Sequence, residues 1–598
     1  MKENRKRLSL LREKMKQKDL DAYLVVSDDF HASEYVGDYF KCREALSGFD
    51  GSSGTLLIMQ DKAALWTDGR YFLQAEEQLR DSGIDLMKMG EEGVEELPDY
   101  LDRTLSEKGT LGFDGRTVSC GLMKKLEKKL GPERKFSWDL DLAGEVWEDR
   151  PKRSREPVYE LEICYAGKTR AEKIDEIRHK MKEKKVNLTV ISSLDDIAWL
   201  LNLRGNDVRY NPVFLSYLIL TEEDVFLFLD PSACPKELEE RLEKDGVHLK
   251  KYDDFFHELP EIARGKQVWF DPDRCSARIA LCLDAAAKKT EGENLTLLPK
   301  ALRNETEQRN VALAHKKDGA AVTRFLIWLR HAVREERLTE LSVTEKLEEF
   351  RKMQDHYMGQ SFAPIAGYGP HGAIVHYEAT EETDLPLRPE GFLLLDTGGQ
   401  YPEGTTDITR TIPLGSLSNE QKLRYTLVLK GNLNLANARF VSSTHGVNLD
   451  AIARLPLWKY GLDYNHGTGH GVGSFLNVHE GPQNISRRMR KKPEKSGELQ
   501  EGMVLSDEPG VYVTGQYGIR LENLMITVKD EKTDFGDFLS FRTLTLVPFA
   551  REAILPEYLT EEEKKWLNDY HKRVYEEIAP ALSEKEQEEL KEMTEEIL

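Results

Sequence analysis

Between residues 391 and 524 four apolar runs each deliver a carboxylate beside glycine or proline, and this repetition constrains the fold more than any other feature of the chain. GFLLLDTGGQYPEGTTDITRT (391–411) ends an apolar strand on Asp396, turns through two glycines and a proline, and returns on a Thr-rich strand carrying Asp407. A strand–turn–strand of that length brings both carboxylates to the same end of a sheet. GMVLSDEPGVY (502–512) places Glu508 at the end of another strand, and YGIRLENL (517–524) carries Arg520 and Glu522 in a further one. Between them lies a glycine-rich loop, HGTGHGVGSFLNVHEGP (466–482), with His466, His470 and His479.

One such carboxylate is an ordinary solvated turn residue, but four in a shared cleft repel one another and hold their protons. Two divalent cations remove the conflict. Asp396, Asp407, Glu508 and Glu522 supply four negative charges against four positive, and a neutral imidazole completes the set. Two metals sharing carboxylates bridge a water, lower its pKa and clamp a tetrahedral intermediate, which is hydrolytic chemistry. Histidine usage agrees: ten of the fourteen histidines fall between His315 and His571, and imidazole both ligates metals and moves protons near neutral pH. Glycines 467, 469, 471 and 473 follow the spacing G-x-G-x-G-x-G rather than the dinucleotide pattern G-x-G-x-x-G. The sequence has no HExxH helix, no phosphate-binding P-loop and no serine nucleophile elbow.

The 598 residues predict several domains. REKMKQKDL (12–20) and RHKMKEKKV (178–186) are similar, and each precedes a short apolar run, DAYLVV or NLTVIS. The pattern predicts two copies of one α/β domain, residues 1–155 and 156–302, with GTLLIM, AALWTDG, FLSYLIL and DVFLFLD as further strands. The charged, proline-containing VWEDRPKRSREPV is the expected linker. A third domain, 303–598, opens on a long amphipathic helix capped by Asn304 with Glu307 three residues on. SRRMRKKPEK (486–495) reads as a solvated loop between two strands.

With 85 basic and 106 acidic residues, the net charge of −21 disfavours nucleic acid as a partner. No apolar run approaches the ~18 residues a membrane helix needs, and the charged start, MKENRKRLSLLREKMKQ, reads as an amphipathic helix rather than a signal peptide. Six cysteines without a CxxC pair suit unpaired thiols in a reducing cytoplasm.

LLLDTGGQY, TTDITRT, HGTGHGVGSFLNVHEGP, LSDEPGVY and GIRLENL resemble the metallopeptidases of the pita-bread fold, specifically the aminopeptidase P (Xaa-Pro aminopeptidase) family in its three-domain cytosolic form. The resemblance covers nearly the whole chain, through REALSGFDGSSGT, LWTDGRYFLQAE, SSLDDIAWLLNLRG and DVRYNPVFLSY to LTEEEKKWLNDYHKRVYEEIAP near the end. It implies an α/β protein in which two creatinase-like α/β domains precede an α+β pita-bread catalytic domain. By resemblance, Asp407 chelates one metal, Asp396 and Glu522 bridge, and His470 and Glu508 bind the second. The same resemblance gives His376 (in AIVHYE) a place facing the substrate and assisting proton movement, His479 a contact with the scissile carbonyl, His466 a place lining the pocket, and Phe362 (in GQSFAPI) an aromatic substrate contact. Arg520 is implied to orient the acidic ligands, and Glu508 to handle the proton. His371, five residues before His376, is an alternative for the same role, and the IVHY context favours His376.

The expected activity is hydrolysis of the bond between an N-terminal residue and a following proline by a metal-bridged hydroxide. A prolidase restricted to Xaa-Pro dipeptides is the alternative, and a metal-free pita-bread binding protein is a more distant one. Four carboxylates and one imidazole suit two Mn²⁺, although Co²⁺ and Zn²⁺ bind the same donors. Expected partners are peptides with proline second and a second copy of the chain; neither nucleic acid nor a membrane is expected.

Overall fold

The computed structural model describes residues 2–488 and 497–598, so most of the basic run at 486–495 lies outside the described residues. Contacts divide the chain into two compact units: residues 1–162 with 168–296, and residues 163–167 with 297–598.

The first unit holds two six-stranded sheets of one topology. Helix Lys2–Gln17 leads into strand Ala22–Val26, and helix Arg170–Lys184 into strand Leu188–Ile191, as the paired sequence runs predict. Each of these two strands pairs antiparallel with the next strand of its sheet, Thr55–Met59 or Ser216–Thr221, and parallel with a later one, Thr110–Phe113 or Gln267–Phe270. The remaining strands of the two sheets pair in matching order and direction. Residues 151–158, within the expected linker, carry no helix or strand. None of the six cysteines is joined in a disulfide.

The second unit is an α+β assembly in which long helices cover curved antiparallel sheets. Asn304 caps helix Glu305–Glu335 through a reciprocal pair with Glu307. Val322, Phe325 and Leu329 of that helix, with Val343 and Leu347 of helix Glu340–Lys352, pack on Leu393 and Leu395 of strand Phe392–Thr397. Because side chains alternate along a strand, Asp396 points with Phe392 and Leu394 to the opposite face. Phe392 there joins a second core formed by helices Asn419–Ala436 and Glu561–Ile578. Among the described residues no helix is long and apolar enough to cross a membrane.

The glycine-rich loop has a packing explanation. Strand Gly469–Gly471 is wedged between Glu480–Ile485 and Val504–Asp507. A Cβ on Gly469 would collide with the Ser506 carbonyl oxygen, and one on Gly471 with that of Glu480. The glycines therefore let three strands close around His470. Gly469→Ala is expected to lower stability by about 1–3 kcal/mol, an overpacking cost. Gly467→Ala, whose Cβ would stand 3.5 Å from the nearest atom, is expected to fall within about 0.5 kcal/mol of the parent, and urea titrations of both variants check the pair.

Candidate active site

Strand Phe392–Thr397 pairs antiparallel with Ile408–Pro413, Asp396 lying opposite Thr409, so Asp407 arrives at the same sheet end one residue before its strand begins. Glu508 follows strand Val504–Asp507 directly. Glu522 departs from the sequence expectation: it lies between strands Tyr517–Arg520 and Asn523–Thr533, not within one. The chain changes sheets there. Arg520 pairs with Gly510, Leu521 N–H donates to the Pro509 carbonyl, Glu522 N–H donates to the Thr409 carbonyl at 3.1 Å, and Asn523 pairs with Asp507. This break swings the Glu522 carboxylate toward the strand of Asp407.

Asp407, His470 and Glu522 each offer a ligand atom within 4.8 Å of the others. His470 Nε2 lies 3.4 Å from Asp407 Oδ2 and 3.6 Å from Glu508 Oε1. Its Nδ1–H donates to the Gly471 carbonyl at 3.0 Å, which orients Nε2 into the cluster. Asp396 joins from the other side. Its Oδ2 accepts from Arg520 Nη2 at 2.6 Å, while its Oδ1 is buried with no hydrogen-bond partner. Thr409 couples the two halves, donating to Glu522 Oε2 at 2.8 Å and accepting from Arg520 Nε at 3.2 Å.

The electrostatics are those of a cluster short of positive charge. Burial, then repulsion from Asp407, Asp396 and Glu508, pushes the Glu522 carboxyl well above the usual range. Burial also raises Asp396 and Glu508, against the pull of Arg520 and His470. Burial depresses His470, but hydrogen bonding to Asp407 and the charge of Glu508 outweigh it and lift the imidazole to about 9. Two hard divalent cations fit this donor set, since the carboxylates need countercharge and Asp396 Oδ1 needs a partner.

The other expected residues fall around this cluster. His479 packs edge-on against His470 with ring centroids 4.4 Å apart. His466 Nδ1 lies 3.8 Å from Glu508 Oε2, but both its ring nitrogens are engaged: Nδ1–H donates to the Gly467 carbonyl, and Nε2 accepts from the Tyr512 hydroxyl at 2.8 Å. Burial, then the charge of Arg520, pushes His466 down to about 3, so the ring is neutral at physiological pH. His376 stands in a turn whose Val375 carbonyl accepts from Arg520 Nη2 at 3.3 Å. Its rival, His371, is committed elsewhere, with Nδ1 3.0 Å from both carboxylate oxygens of Glu340. Phe362 is buried next to Ser361, whose hydroxyl donates to the Thr406 carbonyl.

Three features escaped the sequence reading. Tyr512 links Arg520 to His466, accepting from Nη1 at 2.7 Å. Thr409 was legible only as part of a Thr-rich strand. Asp318, buried on helix Glu305–Glu335, accepts from Arg351, Tyr401 and Thr406, while Arg351 also reaches Thr397, so one ion pair ties the neighbours of Asp396 and Asp407. A lone Asp in the apolar helix segment KKDGAAV was its only sequence signal.

Models of the creatinase/prolidase N-terminal domain match residues 7–147 and 149–307, metallopeptidase family M24 matches 309–529, and the C-terminal region of peptidase M24 matches 537–597. The class is thus a metallopeptidase carrying two creatinase-type N-terminal domains. A probable Xaa-Pro aminopeptidase P of Sordaria macrospora is 42% identical over 595 residues, covering 96% of each chain. Xaa-Pro aminopeptidase 1 of Dictyostelium discoideum is 41% identical, covering 96% of this chain and 93% of its own. The crystal structure of X-prolyl aminopeptidase from Caenorhabditis elegans, described as a cytosolic enzyme with a di-nuclear active site, superposes with a TM-score of 0.94 at 35% identity over 99% of both chains. The chain belongs to the Xaa-Pro aminopeptidase family. An Xaa-Pro dipeptidase from Bacillus anthracis, 23% identical with a TM-score of 0.51, covers 64% of this chain and 99% of its own and shares the fold.

Proposed function

We propose that this chain removes an N-terminal residue from peptides with proline in second position. The observation that carries the reading is the group of buried Asp407 and Glu522 with half-buried His470, and the unpaired Asp396 Oδ1 beside it. Asp407 would hold one cation, Asp396 and Glu522 would be shared, and His470 and Glu508 would hold the second. When bound, two divalent cations supply Lewis acidity that lowers the pKa of a water and polarises a carbonyl. The oxygen-rich donor set supports manganese over softer ions.

The chain's own residues do the rest. Arg520 holds Asp396 and Thr409, and through Thr409 it sets Glu522, so the acidic ligands are preorganised. Glu508 accepts a proton and His376 moves one on the substrate side. His479, edge-on to His470, meets the scissile carbonyl in this reading. His466, neutral with both nitrogens engaged, serves as a wall of the pocket, and Phe362 supplies an apolar contact for the substrate. A cytoplasmic location is in keeping with six cysteines outside any disulfide.

An Xaa-Pro bond is a tertiary amide without an N–H, and the proline ring fixes its own φ. A pocket shaped for that ring rejects other second residues through lost packing. Xaa-Pro-Yaa peptides are therefore expected to be cut between their first two residues, and Xaa-Ala-Yaa at least about tenfold more slowly. Release of the first amino acid from Arg-Pro-Pro, a longer Xaa-Pro-Pro peptide and a plain Xaa-Pro dipeptide checks the reading. Hydrolysis of the dipeptide alone would establish a prolidase instead. A strong chelator is expected to abolish release and Mn²⁺ to restore it.

The chain also forms a homodimer in this reading. Leu455, Trp458 and Tyr460 are exposed at one helix end, an apolar patch on an otherwise acidic protein. Sedimentation is expected to show twice the 68.6 kDa chain mass, and a single species at the chain mass would remove the dimer.

A further inference from the structure

One fully buried carboxylate ties together the whole segment that carries His376. Glu340 opens helix Glu340–Lys352, where the helix dipole favours a negative charge. Its Oε1 accepts from Tyr368 N–H at 2.7 Å, and its Oε2 from Leu385 N–H at 3.1 Å, so both ends of segment 369–384 meet on one side chain. Two interior residues meet there as well. His371 Nδ1 lies 3.0 Å from each oxygen, and the Tyr377 hydroxyl donates to Oε2 at 3.0 Å. The His371 and Tyr377 rings pack together, centroids 4.2 Å apart.

His376 sits between two anchors that reach it from opposite sides. Residue 375 is held through its carbonyl by Arg520, the same guanidinium that grips Asp396. Residue 377 is held through its side chain by Glu340. An ionised carboxylate only accepts, with about four lone-pair sites, and the donors here fill them.

We propose that Glu340, with His371 and Tyr377 as its arms, is the positioning residue for His376. It sets the distance between the proton-moving imidazole and the acidic cluster without touching substrate. The proposal rests on the proton-moving role given to His376 above.

Glu340→Gln keeps the shape but turns an NH₂ toward donors that need an acceptor, so at least one tie is released. Steady-state kinetics on an Xaa-Pro-Yaa peptide are compared for the parent, Glu340→Gln, His376→Ala and the double variant, with metal content measured for each. Glu340→Gln is expected to lower kcat by about tenfold with KM and metal content little changed, and to cost less than about twofold in the His376→Ala background, because coupled residues are non-additive. Amide exchange is expected to quicken across 369–384 in Glu340→Gln. Where that variant does not fold, Tyr377→Phe, which removes the hydroxyl's ties to Glu340 and Thr383 and keeps the ring on His371, enters the same cycle.

Equal losses in both backgrounds overturn the proposal, since Glu340 would then act on stability or on the cluster at large. Parent-like kcat in folded Glu340→Gln overturns it too. Parent-like activity in His376→Ala overturns both the proposal and the role of His376, an outcome distinct from additivity.

Discussion

Glu522→Gln is expected to leave a folded protein that has lost about a thousandfold or more in kcat/KM, some 4 kcal/mol of transition-state stabilisation. The amide matches the carboxylate in shape, and its oxygen can still accept from Thr409, as Oε2 does at 2.8 Å. The lost quantity is one negative charge from a buried cluster whose members already repel each other. In the metal-free protein burial and that repulsion already favour the neutral carboxyl, so the loss is small and the melting temperature without metal is expected to hold. With metal it is a deficit, and the bound ion content is expected to fall. Kinetics, elemental analysis and melting curves with and without Mn²⁺ check the three parts separately. Full activity in this variant would sink the shared-ligand role of Glu522.

The second large effect is a split between two histidines. His470 projects Nε2 toward Asp407 and Glu508, and its Nδ1–H is anchored on the Gly471 carbonyl. His470→Ala is expected to lose metal and turnover together. His376 stands in a turn beside Val375, and under the proposed function its replacement removes a proton carrier and no ligand. His376→Ala is expected to lower kcat by about a hundredfold, within the usual range for general acid–base groups, at near-parent metal content. If His376→Ala emptied the site and His470→Ala did not, the ligand and the proton carrier would be reversed.

These expectations show what could be read early. Asp396 and Glu508 were legible because an apolar run that ends on a carboxylate beside Gly or Pro is a local signal, written in consecutive residues, and Asp407 because a short turn returns the chain on a Thr-rich strand. The capped helix at Asn304 and the doubled α/β pattern were legible for the same reason. Glu522 was legible as a residue but misplaced on a strand, since the break at Leu521 and Glu522 arises from two sheets competing for one chain. The glycines at 469 and 471 were legible as a pattern without a cause, and the cause is the backbone of strands that lie elsewhere in the chain.

By itself the sequence determined the donor chemistry, the duplicated α/β architecture and the periodicities that bury one face of each element, because these depend on residues within a few positions of one another. Only the tertiary structure showed what His371 contacts. His371 and His376 lie in one short run where the IVHY context favours His376, and Glu340, thirty-one residues before His371, lies against the imidazole of the other. Only the tertiary structure, likewise, joined Thr409 to Arg520 and Glu522, Tyr512 to His466, and Asp318 to Arg351. A hydrogen bond needs its partners within about 3 Å, and for residues far apart in the chain that proximity is a property of the packed fold.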